Sequence, residues 1–145
     1  MLSAPEVRNI QTVRRYFDGC SSGELETLLS TLAPDVVHYF LPSVFAPIVG
    51  AEHLARHWRK FRQLLDPVWQ IDQLVAHDDQ VVSEWSCIWT PKGTQRRVMM
   101  RGSEWYVMRG GLIAEIRAYL AHDDTRDTEL TGFPYRDRGY LLHPD

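Results

Sequence analysis

The feature that most limits the fold of this chain is a change of hydrophobic period at Asp66-Pro67. Before it, apolar residues recur mostly at helical spacing; after it, they fall in extended runs separated by turn residues. Residues 5–19 place Val7, Ile10, Val13 and Phe17 on one helical face, with Ser3 as N-cap and an end near Gly19. After the polar CSSG break, a second short helix opens at Gly23-Glu24-Leu25, aligns Leu25, Leu28, Leu29 and Leu32, and stops at Pro34. Residues 35–41, DVVHYFL, are β-branched and aromatic and read as a strand ended by Pro42; SVFAPIVG reads as a loop. A third helix runs from Gly50-Ala51-Glu52 to Asp66-Pro67, with Leu54, Trp58, Phe61, Leu64 and Leu65 as its apolar stripe.

Beyond that point VWQIDQLVA, VVSEWSCIWT, QRRVMMRGSEWYVM and LIAEIRAYLA follow one another across HDDQ, PKG and RGG turns, which predicts an antiparallel meander. The order α-α-β-α-β-β-β-β is an α+β architecture, in which three N-terminal helices cover one face of a curved antiparallel sheet and enclose a cone. Residues 1–122 make up this domain. Residues 123–145 are charged but carry aromatic anchors and a Pro-stiffened turn in GFPYRDRGYLL. They are expected to be ordered, packing on the domain or a dimer partner and either capping the cone mouth or crossing a second subunit.

A chain of 145 residues with 44% apolar content furnishes one core without staples. Its 16 basic and 19 acidic residues give a net charge of -3, too little positive field for a nucleic-acid partner. Cys20 and Cys87 form no CxxC pair, so neither a zinc knuckle nor a disulfide framework is expected, which fits a reducing cytoplasm. The first 30 residues lack an apolar core of the signal-peptide kind, and no run of 18 apolar residues occurs, so no membrane association is expected.

Three local sequences carry a family resemblance: VRRYFDGCSSGELETLLSTLAPDVV, VGAEHLARHW and YVMRGGLIAEIRAYL. With the element order, they resemble the nuclear-transport-factor-2-like superfamily, in its SnoaL-like and ketosteroid-isomerase-like branch, over roughly residues 5–122. The resemblance implies a deep apolar pocket with a few acid-base groups, no cofactor, and a homodimer joined through the outer sheet face. It puts Tyr16 where the isomerases keep an oxyanion-binding tyrosine and Glu104 where they keep a protonated carboxylic acid. It puts Phe40 in place of their proton-abstracting aspartate, so steroid isomerisation as such is not implied.

Strand alternation turns His38 to the same face as Phe40, making His38 the candidate base, since an imidazole near its ordinary pKa of about 6.5 both accepts and returns protons. Burial of Glu104 would keep it neutral and able to donate to an oxyanion, and the Tyr16 phenol can donate to a substrate oxygen. Asp123, just after the last strand, is the candidate acid at the pocket mouth. Phe40, Trp58, Trp85, Cys87 and Trp89 suit a pocket wall for a planar apolar molecule. Met100, Ile116, Ala118 and Leu120 complete that wall, while Glu115, Arg117 and Tyr119 fall on the outer face. His53 and His57 share a helix face, but no HExxH pattern or third ligand accompanies them, so no metal is expected. The expected function is cofactor-independent acid-base catalysis, as isomerase, dehydratase, cyclase or hydrolase, on a small apolar cyclic molecule. The alternative is a non-catalytic ligand-binding or dimerisation module.

Overall fold

The structure is a computed structural model and describes residues 1–41 and 45–144. Helix α1 spans Ala4–Ser22, and Ser3 and Glu6 cap its start reciprocally: the Ser3 hydroxyl accepts from the Glu6 amide while the Glu6 carboxylate accepts from the Ser3 amide. The helix passes the expected end at Gly19 and stops at Gly23, whose φ of 72° suits a residue without a Cβ. Gly19 serves a different purpose: a Cβ there would lie 2.8 Å from the Leu28 side chain, so the glycine lets α2 (Leu25–Leu29) press against α1.

Leu32, expected on α2, already belongs to β1 (Leu32–Leu41). Pro34 does not simply stop a helix; it lies inside the strand, between the paired positions Leu32 and Val37 where the register shifts and no ladder donor is required. Part of the expected loop forms a further short strand, β2 (Ile48–Val49), antiparallel to β1. Pro42, Ser43 and Val44 lie outside the described residues, as does Asp145. Helix α3 covers Ala51–Leu65, as its apolar stripe predicts.

Strands β3 (Val68–His77), β4 (Gln80–Trp89), β5 (Val98–Arg109) and β6 (Leu112–Leu120) form the expected meander. The curved sheet has the order β2-β1-β6-β5-β4-β3 and does not close. It is not wholly antiparallel: β1 joins β6 in parallel, because the chain enters β1 before α3 and the meander and returns to its flank afterwards.

Register builds the inner face in rows. Leu74, Ser83, Glu104, Ala118 and Phe40 follow one another across five strands, and Val81, Tyr106, Ile116 and His38 form the next row. The helices pack on this face, and Val13, Leu28, Leu54, Tyr106, Ile113 and Ile116 are almost wholly buried between the two layers. Each such side chain contributes roughly 1.5–3 kcal/mol by leaving water.

The tail corrects one expectation. Past Asp124 it packs on its own domain, across the outer face of β4 and β5, and does not cap the cone mouth. Arg101 reaches from β5 to Glu129 at 2.6 Å and lies 3.7 Å beneath the Tyr135 ring, and the Leu141 amide donates to Asp72 on β3. Among the described residues, no helix is long and apolar enough to cross a membrane.

Candidate active site

Curvature of the sheet leaves a cavity of about 670 Å³ between its inner face and α3. Glu104 is the ionisable group at its buried end, because the β4–β5–β6 register sets it between Ser83 and Ala118 on the inward side. The residue is only 4% exposed. Burial, the larger influence, pushes its carboxyl up to about 7, and the hydroxyl donated to Oε2 by Tyr106 pulls the other way. Tyr106 stands two residues further along the same strand and so shares the face; burial and the neighbouring Glu104 charge raise its phenol far above the usual range, keeping it a donor. The Ser83 Oγ lies 3.0 Å from the Tyr106 hydroxyl and extends the chain of hydrogen bonds.

His38 requires a correction. Its ring is fully buried and stacks on Phe40, with centroids 4.2 Å apart and 27° between planes. Burial first, then the neighbouring His57, pushes its pKa down to about 3, so the imidazole is neutral where the expected base would titrate. Neither ring nitrogen has a partner among the described residues, and Nε2 is 3.8 Å from Glu104 Oε1, beyond hydrogen-bond reach. Alternation gives the correct face for His38, but Phe40 and Trp58 cover it, so it lies beneath the cavity and does not line it.

Tyr16 is also displaced from the expected role. Its hydroxyl accepts from Trp58 Nε1 at 2.6 Å, and it supports the wall from behind Trp58 without lining the cavity. Burial raises its phenol well above the ordinary range. Phe40, Trp58, Trp85 and Trp89 do line the cavity, as do Met100, Ala118 and Leu120. Cys87 and Ile116 are fully buried on the same inner face but stand below the lining layer. Asp123 turns away: its carboxylate accepts from the Thr125 hydroxyl at 2.6 Å and the Thr125 amide at 2.8 Å, and these bonds first, then Arg126, hold its pKa low. The neighbouring Asp124 reaches the mouth instead and pairs with His122 at 2.6 Å.

Sequence reasoning missed Tyr106, although its position two residues from Glu104 was a usable signal. It also missed Trp69, Phe45 and the rim position of His57. Trp69, Trp85 and Trp89 each keep a buried indole nitrogen without a partner among the described residues; these atoms are sealed from solvent and reach a ligand only if the rings move. His57 lines the mouth while His53 is exposed, so the pair does not converge on a metal site. Glu6, His77 and Asp78 come within 4.8 Å of one another on the surface, but Glu6 is engaged by the Asp78 amide. A second hollow of about 610 Å³ lies between the outer sheet face and the tail, and Arg101 there is neutralised by Glu129.

The comparisons with known proteins agree with this geometry. No curated protein matches the chain. Among solved structures, a protein of unknown function with a cystatin-like fold from Methylobium petroleophilum PM1 is 27% identical, with 97% of this chain and 95% of that one covered at a TM-score of 0.72. An epoxide hydrolase of M. tuberculosis described as LEH-like is 19% identical over 80% of this chain and 84% of that one, at 0.70. An NTF2-like protein of unknown function from Burkholderia pseudomallei K96243 is 16% identical over 79% and 91%, at 0.68. The last two show the shared fold alone. The SnoaL-like domain family matches residues 13–116, the span holding α3, strands β3 to β5 and Glu104. The chain therefore belongs to the SnoaL-like domain family, on the cone fold of the nuclear-transport-factor-2-like proteins.

Proposed function

We propose that the protein is a cofactor-independent acid-base enzyme acting on a small, apolar, cyclic carbonyl compound, with Glu104 as the group that moves the proton. The observation that carries this reading is a carboxyl with a pKa near 7 at the buried end of an otherwise apolar cavity. Such a group is present in both protonation states at neutral pH and so takes and returns a proton without a large barrier from either form. The carboxylate removes a proton from carbon next to the carbonyl, the C–H electron pair shifts into the new C=C bond, and the carbonyl oxygen takes the charge. The Glu104 acid then returns the proton to the same or another atom. Tyr106 holds Oε2, and the neutral His38 packs beside Oε1 without competing for the proton. The uncharged walls exclude water, which strengthens the electrostatics of the step.

The test uses 2-tetralone in D2O and follows exchange of its α-hydrogens by NMR. Wild-type protein accelerates exchange, and kcat/KM rises as pH passes upward through about 7, because deprotonation creates the base. Glu104→Gln keeps the fold and loses about 10²–10⁴-fold in rate. A wild-type rate no higher than that of the variant leaves a binding module and removes the enzyme.

The same reading includes self-association. Tyr39, Trp105 and Tyr119 are 42%, 38% and 46% exposed on the part of the outer face that the tail leaves open. A second copy is the proposed occupant of this face.

A further inference from the structure

Six aromatic rings close a loop around the cavity mouth. Taken in order, His57 meets Phe40 at 6.1 Å between centroids, Phe40 meets Phe45 at 5.6 Å, and Phe45 meets His122 at 6.2 Å. His122 then meets Trp89 at 5.1 Å, Trp89 meets Phe61 at 6.4 Å, and Phe61 returns to His57 at 6.5 Å. All six line the cavity. The collar is assembled from β1, α3, the end of β4, a residue two positions past β6 and the segment before β2, so no stretch of sequence displays it. Its two imidazoles occupy opposite positions in the loop. Opened to a regular hexagon, such a collar measures about 12 Å between opposite centroids and about 8 Å between ring surfaces, the size of a flat ring system with room for contact on both sides.

The polar groups at this level are biased toward donors. Lys92 projects at the rim and makes no ion pair among the described residues. His57 is held below its usual pKa by burial and by the charges of His53 and Lys60, so it is a neutral ring with one N–H to donate. The carboxylate at the rim, Asp124, is already committed to His122. An ammonium ion inside an aromatic collar would gain cation-π attraction, but here it would face Lys92. Phe40 shares the register row of Glu104 two strands away, which places the collar about 10 Å from the acid. That span matches two fused rings.

We infer that the site takes a fused bicyclic compound with the reacting carbonyl on one ring and a carboxylate on the other, its rings passing through the collar so that the carbonyl end meets Glu104 and the anionic group remains at the rim against Lys92 and His57. The inference deepens the acid-base reading of the same cavity and rests on it.

The probes are 2-naphthoate, the uncharged 2-naphthamide and the cationic (2-naphthylmethyl)trimethylammonium, titrated calorimetrically into the full chain and into Lys92→Met. Naphthoate binds wild type at least tenfold more tightly than the amide. Lys92→Met, which keeps its thermal midpoint, loses most of that preference while its affinity for the amide is unchanged. An amide that binds as well as naphthoate, a preference for the ammonium compound, or a preference that survives in Lys92→Met overturns the inference. Absence of binding by all three probes overturns it together with the cavity reading. Naphthoate binding without tetralone exchange upholds the collar and removes only the role of Glu104.

Discussion

His38 and Glu104 face the same interior, and burial disfavours the charged form of each, with opposite consequences for stability. The folded pKa of His38, about 3, lies below the ordinary 6.5, so between these values the unfolded chain binds the extra proton. Its contribution is therefore complete above about pH 6.5 and lost as pH falls toward 3. Glu104 runs the other way: its folded pKa of about 7 lies above the ordinary 4.5, so the cost of burying its charge grows as pH rises through that interval. Replacing His38 with Leu should flatten the acid side of the stability curve. Urea unfolding between pH 6 and 4 should show wild type losing about 1.4 kcal/mol per pH unit more than the variant. Parallel slopes would remove His38 as a buried neutral group. The facing of both residues follows from period-two alternation, and depth does not: the same alternation describes Glu104 at the cavity and His38 beneath it.

At the scale of elements, local signals located most of the chain and failed where tertiary contact overrode them. Gly19 has the look of a helix stop, yet α1 continues because Leu28 fills the space a side chain would occupy. Gly→Ala inside a helix ordinarily gains about 0.5–1 kcal/mol. Gly19→Ala should reverse that sign and cost about 1–3 kcal/mol, since the new methyl meets Leu28 at 2.8 Å. Equilibrium denaturation checks it, and a stabilised variant would show that α2 moves aside freely. Similarly, β2 is two residues long and has no period of its own; it exists because Val37 and His38 offer an open ladder to Val49 and Ile48.

For the whole molecule, the tail divides the outer face. One part lies under Tyr135 and Tyr140; the other keeps the cross-strand row Tyr39, Arg117, Trp105, Val82 and Val75, an apolar surface of the kind that marks association. Sedimentation equilibrium at tens of micromolar should give twice the chain mass of 16.8 kDa, and Trp105→Glu should give a folded monomer. A monomeric wild type would remove the proposed second copy. By itself the sequence determined the α+β class, the order of the helices and the meander, and the inward aim of His38 and the aromatic residues, since each follows from short-range period, caps and turns, whereas Glu104 was placed by the family resemblance. The tertiary structure decided the parallel β1–β6 junction, the sealing of His38, the Tyr106–Glu104 contact and the ring of side chains at the mouth. Those depend on which distant strands come together and how far the sheet bends, and no local pattern encodes that distance.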